Sequence, residues 1–221
     1  MLDNKYRREH VLPLYRSEAN RTIEGLKFYL ETLESFIETE REREISNLQK
    51  KVEHLSEDDQ GEFWAWRYPI HWDDIFATHL RASFIVTLMS LAEFHLNIVA
   101  EQASEIASTP LKARDLRGSS FEKDRKLLEA LAGFRRPSTD AWNSLHEVRE
   151  IRNCIVHADS TIYRSHNEVR LKSLVAKLPG LSTTHGLIEM SHEFPQHCLA
   201  VIKNFLTDLY EEASDMCQKF V

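Results

Sequence analysis

Apolar residues at alternating spacings of three and four dominate the first part of the chain. Ile23, Leu26, Leu30, Leu33 and Ile37 form one stripe at helical period. The spacing predicts one helix from Ser17 to about Leu55, or two in line. After EREREI the stripe resumes weakly with Ile45, Leu48, Val52 and Leu55, so the second half is expected to be more exposed and to project from the body. SEDDQGEFWAWRYPIHW then breaks the pattern, with Gly61 and Pro69 as punctuation. A helix N-capped by Asp73 or Asp74 follows and runs to about Gln102. Ile75, Phe76, Leu80, Phe84, Ile85, Leu88, Leu91 and Ile98 make it apolar round most of its circumference, which marks it as the central helix.

The remaining elements follow from caps and breakers. Thr109-Pro110 opens a short helix, because proline suits the first helical position. Ser119 followed by Glu122 reads as a capping box, opening a helix that stops near Gly133. Ser138 or Asp140 caps the next one. His166 to Gly186 is poorer in helical pattern, and EVRL and GLIEM are expected to pair as a short hairpin around LPG. Ser191 caps a final helix whose core stripe is Phe194, Cys198, Leu199, Ile202, Phe205, Leu206 and Leu209. The expected fold is all-α: an up-and-down helical bundle with a long N-terminal helix and a short irregular or β-hairpin insert before the last helix. Residues 1–60 are read as an N-terminal extension packing on a helical domain at 61–221.

Composition agrees with this pattern. The 221 residues are 42% hydrophobic and 29% charged, with only six Gly and six Pro, which favours helices over a turn-rich β protein. The N-terminus lacks the apolar run of a signal peptide, and FIVTLMSLA, at 84–92, is far shorter than a membrane span. Cys154, Cys198 and Cys217 form no CxxC pair and suggest neither a zinc ribbon nor a disulfide framework. These features lead us to expect a cytoplasmic protein with no membrane partner. The formal charge of −7 argues against a sequence-blind grip on nucleic acid. That charge is uneven: Glu31–Glu62 carries a net −7, whereas Lys112–Arg136 carries a net +4.

One stretch carries chemistry. On a helical wheel of 142–157, Leu145, Val148, Ile151, Ile155 and Val156 define an apolar arc, with Arg152 near its middle. His146, Asn153 and His157 group on a neighbouring side. A guanidinium in an apolar stripe is costly unless it is paired or faces a wet cleft. Two explanations stay open: an ion pair with a carboxylate such as Glu93, or a cleft that receives an anion. A histidine exchanges protons with hydroxyls near neutral pH, and an arginine stabilises charge building on phosphate oxygens. In RNA the attacking 2′-hydroxyl belongs to the substrate, so Arg plus His suffices for cleavage without a metal or cofactor.

IRNCIVH, residues 151–157, resembles the Arg-x4–6-His motif of the HEPN superfamily, including the polar residue after the arginine. WNSLHEVREIRNCIVHAD is similar to that family's late helix, SLAEFHLNIVAEQ to its central helix, and 191–220 to its closing helix. The resemblance implies an all-α domain that dimerises with two motifs at the interface, and a metal-independent ribonuclease in a toxin–antitoxin, antiviral defence or RNA-processing setting. It implies Arg152 and His157 as the catalytic pair and Asn153 as the residue that orients them. Glu93, His146 and Arg149 are candidate supporting residues. RNA is the implied substrate, a second copy the implied partner, and an antitoxin or companion protein a further one. Asp159 stands where one subgroup carries a tyrosine, which argues against the nucleotide-transfer regulation of that subgroup. Other HEPN-like domains do not cleave and serve as binding or dimerisation modules, which is the alternative function.

Competing motifs are weaker. In HEFPQH the histidines are five apart with Pro195 between them, which does not suit zinc binding on one helical face. His95 falls on the apolar side of the central helix, where a satisfied core histidine is expected. Neither a glycine-flanked nucleophilic serine nor a phosphate loop is present.

Overall fold

The computed structural model describes residues 4–107, 112–131 and 133–219. A turn, α1 (Asn4–Tyr6), and a π segment at Arg7–Val11 lead into the long helix α2 (Leu12–Val52), with Pro13 in its first turn. Then come α3 (Glu57–Arg67), a π segment at Trp72–Ala77 and α4 (Thr78–Ile106). After α5 (Ser120–Lys126), which continues as a π segment to Leu131, lie α6 (Thr139–Ala158) and α7 (Glu168–Lys177). The hairpin β1 (Leu181–Thr184) and β2 (Leu187–Met190) precedes the closing helix α8 (Glu193–Lys219). The chain is an all-α bundle with a small hairpin before its last helix.

The core lies where α4 and α8 face each other, flanked by α2 and α6. Phe84, Ile85, Leu88, Met89, Leu96 and Val99 of α4 are all buried, as is the whole stripe of α8 from Phe194 to Leu209. An 18-residue window in this part of the chain is long and apolar enough to cross a membrane, with a mean hydropathy of 1.5. Burial against α8 and α6 accounts for the apolarity of α4. Leu12, Ala19, Ile23 and Leu30 of α2 belong to the same buried cluster. The first half of α2 is therefore part of the bundle, and the second half carries the more exposed stretch. Arg81 of α4 fastens this arrangement: it donates to Glu34 of α2 at 2.7 and 2.8 Å and to the carbonyl of Met190 at 2.8 Å.

Several expectations change. Residues 57–67, expected to break the helical pattern, form α3, because Ser56 accepts the Asp59 amide as N-cap and three acidic residues occupy the first turn. No side chain caps the Trp72 segment; Asp73 instead accepts from Arg41 at 2.7 Å. EVRL is helical in α7, since Leu171, Leu174 and Val175 are buried at helical spacing. The hairpin pairs LSTT with LIEM, Leu181 opposite Met190 and Thr184 opposite Leu187. Its two-residue turn, His185-Gly186, has both φ values positive (52° and 81°), the primed geometry that suits the twist of the strands. The short helix expected at Thr109-Pro110 lies outside the described residues.

Other caps are where the residue types place them. Ser119 and Glu122 form both bonds of the capping box of α5, Ser138 accepts the Ala141 amide of α6, and Ser191 accepts the Glu193 amide of α8. Replacing Ser119 with alanine removes one of the two bonds that open α5. An expected loss of about 1 kcal/mol in urea unfolding measures that cap.

Candidate functional site

The motif helix α6 begins at the Ser138 cap and ends where Asp159 and Ser160 turn left-handed, at φ 49° and 58°. Aspartate tolerates that conformation at a helix end, and its amide closes the helix onto the carbonyl of Cys154. Leu145, Val148, Ile151, Cys154 and Ala158 are buried, while Ile155 is half-buried and Val156 is 49% exposed. The buried face is thus centred on Val148 and Ile151, and Arg152 lies on its flank rather than in its middle. The reason is a neighbour that the wheel does not contain: α4 packs beside this flank and brings a carboxylate.

That carboxylate is Glu93. Arg152 donates to Glu93 Oε1, and Arg149, one turn earlier, places its Nε 3.5 Å from the same oxygen. Each arginine side chain is 17% exposed and Glu93 is 36% exposed. Two permanent cations therefore share one anion at the edge of solvent, leaving an excess positive charge. Arg149 Nε and Arg152 Nε are both buried without a hydrogen-bond partner. The guanidinium carbon of Arg149 also sits 5.1 Å from the centre of the Phe121 ring, and His146 stacks on that ring at 6.5 Å.

Asn153 is half-buried and His157 is exposed, one turn apart on one side of α6. No hydrogen bond or ion pair joins Arg152 to His157. Five residues apart, they lie about 140° round the helix and about 7.5 Å along it, so one chain presents them on different sides. Two surface hollows, one along Arg41, Gln49 and Tyr68 and one around Glu34, Arg81 and His192, include none of the motif residues. His146 faces Glu150 at 3.9 Å.

Two residues of this region carry no motif and were not anticipated. Asp124 of α5, 2% exposed, takes hydrogen bonds from Asn97 of α4 and Ser120, and its Oδ1 has no partner. Burial, with the Glu101 charge in support, pushes its carboxyl up to about 6. Three buried unpartnered side-chain atoms, on Asp124, Arg149 and Arg152, thus all lie along the seam of α4, α5 and α6. Glu147, also buried, is matched by Lys177 at 2.6 Å and Arg170 at 3.2 Å, which fasten α7 to α6. The only sequence signal was spacing: Asp124 falls on the same helical face as Phe121, Leu127 and Leu128, and Glu147 near Ile151 and Cys154.

The competing candidates resolve into structure. His95 is 1% exposed and hydrogen-bonds Tyr210 through Nδ1 at 2.6 Å, and burial lowers its pKa. His197 stacks on Phe194 at 6.4 Å inside α8, and burial lowers its pKa also. All three cysteines are buried and outside any disulfide, and burial raises the pKa of Cys154 and Cys198.

No known family model, curated protein or solved structure matches this chain. The functional reading therefore rests on the chemistry of the residues themselves.

Proposed function

We propose that this protein is a metal-independent endoribonuclease of HEPN type that works as a homodimer. The observation that carries the reading is the pair Arg149 and Arg152 sharing the single, partly exposed carboxylate of Glu93. An excess guanidinium charge with unpartnered N–H groups is suited to a phosphate, because charge-assisted bonds to phosphate oxygens use that donor set. His157, exposed on the next turn, supplies the proton chemistry.

In the reaction the substrate's own 2′-oxygen attacks the adjacent phosphorus and its proton passes to an imidazole. The bond from phosphorus to the 5′-oxygen breaks, and that oxygen takes a proton from the second imidazole of the dimer. The products are a 2′,3′-cyclic phosphate and a 5′-hydroxyl. Arg152 stabilises the additional negative charge on the phosphorane oxygens, where fixed donors are most effective. Because Arg152 and His157 diverge on one helix, the two Arg152/His157 pairs of the dimer together form one composite site. Asn153, beside Arg152 and on the side of His157, orients them.

Incubation of the purified protein with RNA in EDTA tests this. Cleavage to cyclic-phosphate ends is expected, and His157→Ala, an exposed change that leaves the core intact, is expected to slow it at least about tenfold. No cleavage in EDTA, or equal cleavage by His157→Ala, removes the assignment.

A second reading has one observation in its favour. The Arg152–Glu93 pair also fastens α6 to α4, as a helical dimerisation module without catalysis requires. The two readings differ in what loss of Arg152 does.

A further inference from the structure

Between α3 and α4 the chain exposes a run of large apolar side chains. Trp66 is 81% exposed, Tyr68 46%, Ile70 58%, Ile75 51% and Phe76 47%. Loose backbone does not account for this. Pro69 is buried among them, and the amides of Asp73 and Asp74 donate to the carbonyl of Ile70 at 3.1 and 2.9 Å. Trp72 fastens the turn to α2 by donating from Nε1 to Glu44 at 2.8 Å, and Asp73 fastens it by accepting from Arg41. The Phe76 ring lies against Trp72, with centres 4.9 Å apart. Single apolar residues on a surface need no explanation, whereas a grouped and fixed set marks a contact surface.

The surroundings of this set are acidic. Residues 38–74 contain eleven Asp or Glu against five Lys or Arg. On α3, Asp59, Glu62 and Trp66 follow at spacings of three and four, so they share one exposed face. Beside Tyr68 lies a hollow of about 440 Å³, walled by Ile45 and by Glu42 and Glu53, three turns apart on α2. Arg41 and Lys50 line it too, but Arg41 is taken up by Glu38 and Asp73. Glu42, Glu53, Glu57, Asp58 and Glu62 have no ion pair among the described residues.

We propose that this face docks a segment of a different polypeptide, one rich in Arg or Lys with bulky apolar residues between them. Trp66, Tyr68, Ile70 and Phe76 receive the apolar residues, and the unpaired carboxylates of α2 and α3 receive the cations. Charge selects this occupant over the others. Nucleic acid and anionic bilayers would bring negative charge to an acidic face. A second copy brought face to face by a two-fold axis would set acid against acid. An arginine suits the Tyr68 hollow, because a guanidinium stacks on an aromatic ring and carboxylates line the same hollow. The turn is already formed, so binding costs little ordering on this side. The inference is independent of the ribonuclease reading, since the face contains none of the residues of that site.

Fluorescence anisotropy with the full chain tests it. The probe is a short labelled peptide in which Arg and Lys alternate with Leu and Trp. One control peptide carries Glu in place of the basic residues, and another carries Ser in place of the apolar ones. The probe is expected to bind at least about tenfold more tightly than either control, and more weakly as salt rises. Trp66→Ser with Ile70→Ser, two exposed changes, is expected to weaken it at least about tenfold with circular dichroism unchanged. Glu57→Gln with Glu62→Gln is expected to weaken it and to flatten its salt dependence. No binding of the probe, equal binding of the Ser control, or an affinity unchanged in both double variants overturns the proposal. So does preferential binding of single-stranded RNA or phosphatidylserine vesicles, or self-association, that the Trp66 and Ile70 changes abolish. None of these measurements reads cleavage, so the EDTA result stands or falls separately.

Discussion

Arg152→Ala is expected to slow RNA cleavage by roughly a hundredfold to a thousandfold while leaving the fold almost as stable as before. The two halves of this outcome have separate physical causes. Arg152 acts by position: its fork is placed where a phosphorane would gather charge, whereas the Arg149 guanidinium lies over the Phe121 ring. The fold tolerates the loss because Glu93 does not become an orphan. Arg149 remains 3.5 Å from the same oxygen, and Glu93 is 36% exposed and so accessible to water. The stability cost of losing such a pair is about 1 kcal/mol or less. Arg152→Lys is expected to recover little activity, since an ammonium keeps the charge without the planar donor fork. The dimerisation-module reading makes the opposite forecast: unfolding at lower temperature, with no cleavage to lose. Thermal unfolding and cleavage measured on the same preparations separate the two.

Asp124→Asn is expected to stabilise the protein at neutral pH and to destabilise it by about 1 kcal/mol at pH 4. The carboxyl is 2% exposed, and its pKa rises from 3.8 to about 6, chiefly because burial penalises the ionised form, with Glu101 adding to the effect. Hydrogen bonds from Asn97 and Ser120 offset only part of that. With the folded value raised above the unfolded one, the favourable contribution is fully present below pH 4 and is lost as pH rises through 6. The difference corresponds to about 3 kcal/mol at neutral pH. An amide does not ionise, so the variant escapes the loss. Its new N–H group takes the place of Oδ1, which has no partner, and that reduces the gain to about 1–2 kcal/mol. Urea unfolding of both proteins at pH 4, 6 and 8 gives the test. A difference that does not grow between pH 4 and pH 8 contradicts the assignment of a raised value to this carboxyl.

These two residues also show how differently a sequence exposes its chemistry. Arg152 was conspicuous because a guanidinium interrupts an apolar stripe, a contrast visible within one helix. Its partner Glu93 was legible as a candidate carboxylate on the central helix, and the packing of α4 beside α6 brings it to Arg152. Asp124 stands on the apolar side of a short helix, yet among charged neighbours its burial becomes apparent only once α4 covers it. Glu147 was hidden for the same reason. Val156 shows the opposite failure: an apolar residue counted into the core arc lies exposed, because the arc's centre is set by which helices pack against it.

What the chain settles by itself is local and periodic. The stripes of α2, α4 and α8, the Ser119 box and the Ser138 cap follow from hydrogen-bond groups and apolar faces a few residues apart, and these need no distant neighbour. The hairpin before α8 was legible as a break in helical pattern, but its register and the helical state of EVRL depended on burial of Leu171, Leu174 and Val175. Tertiary structure alone decided that two arginines share Glu93 and that Arg152 and His157 diverge on α6. Each is a relation between helices distant in sequence, and the free energy that sets it, burial of apolar area and pairing of charge, exists only once those helices meet.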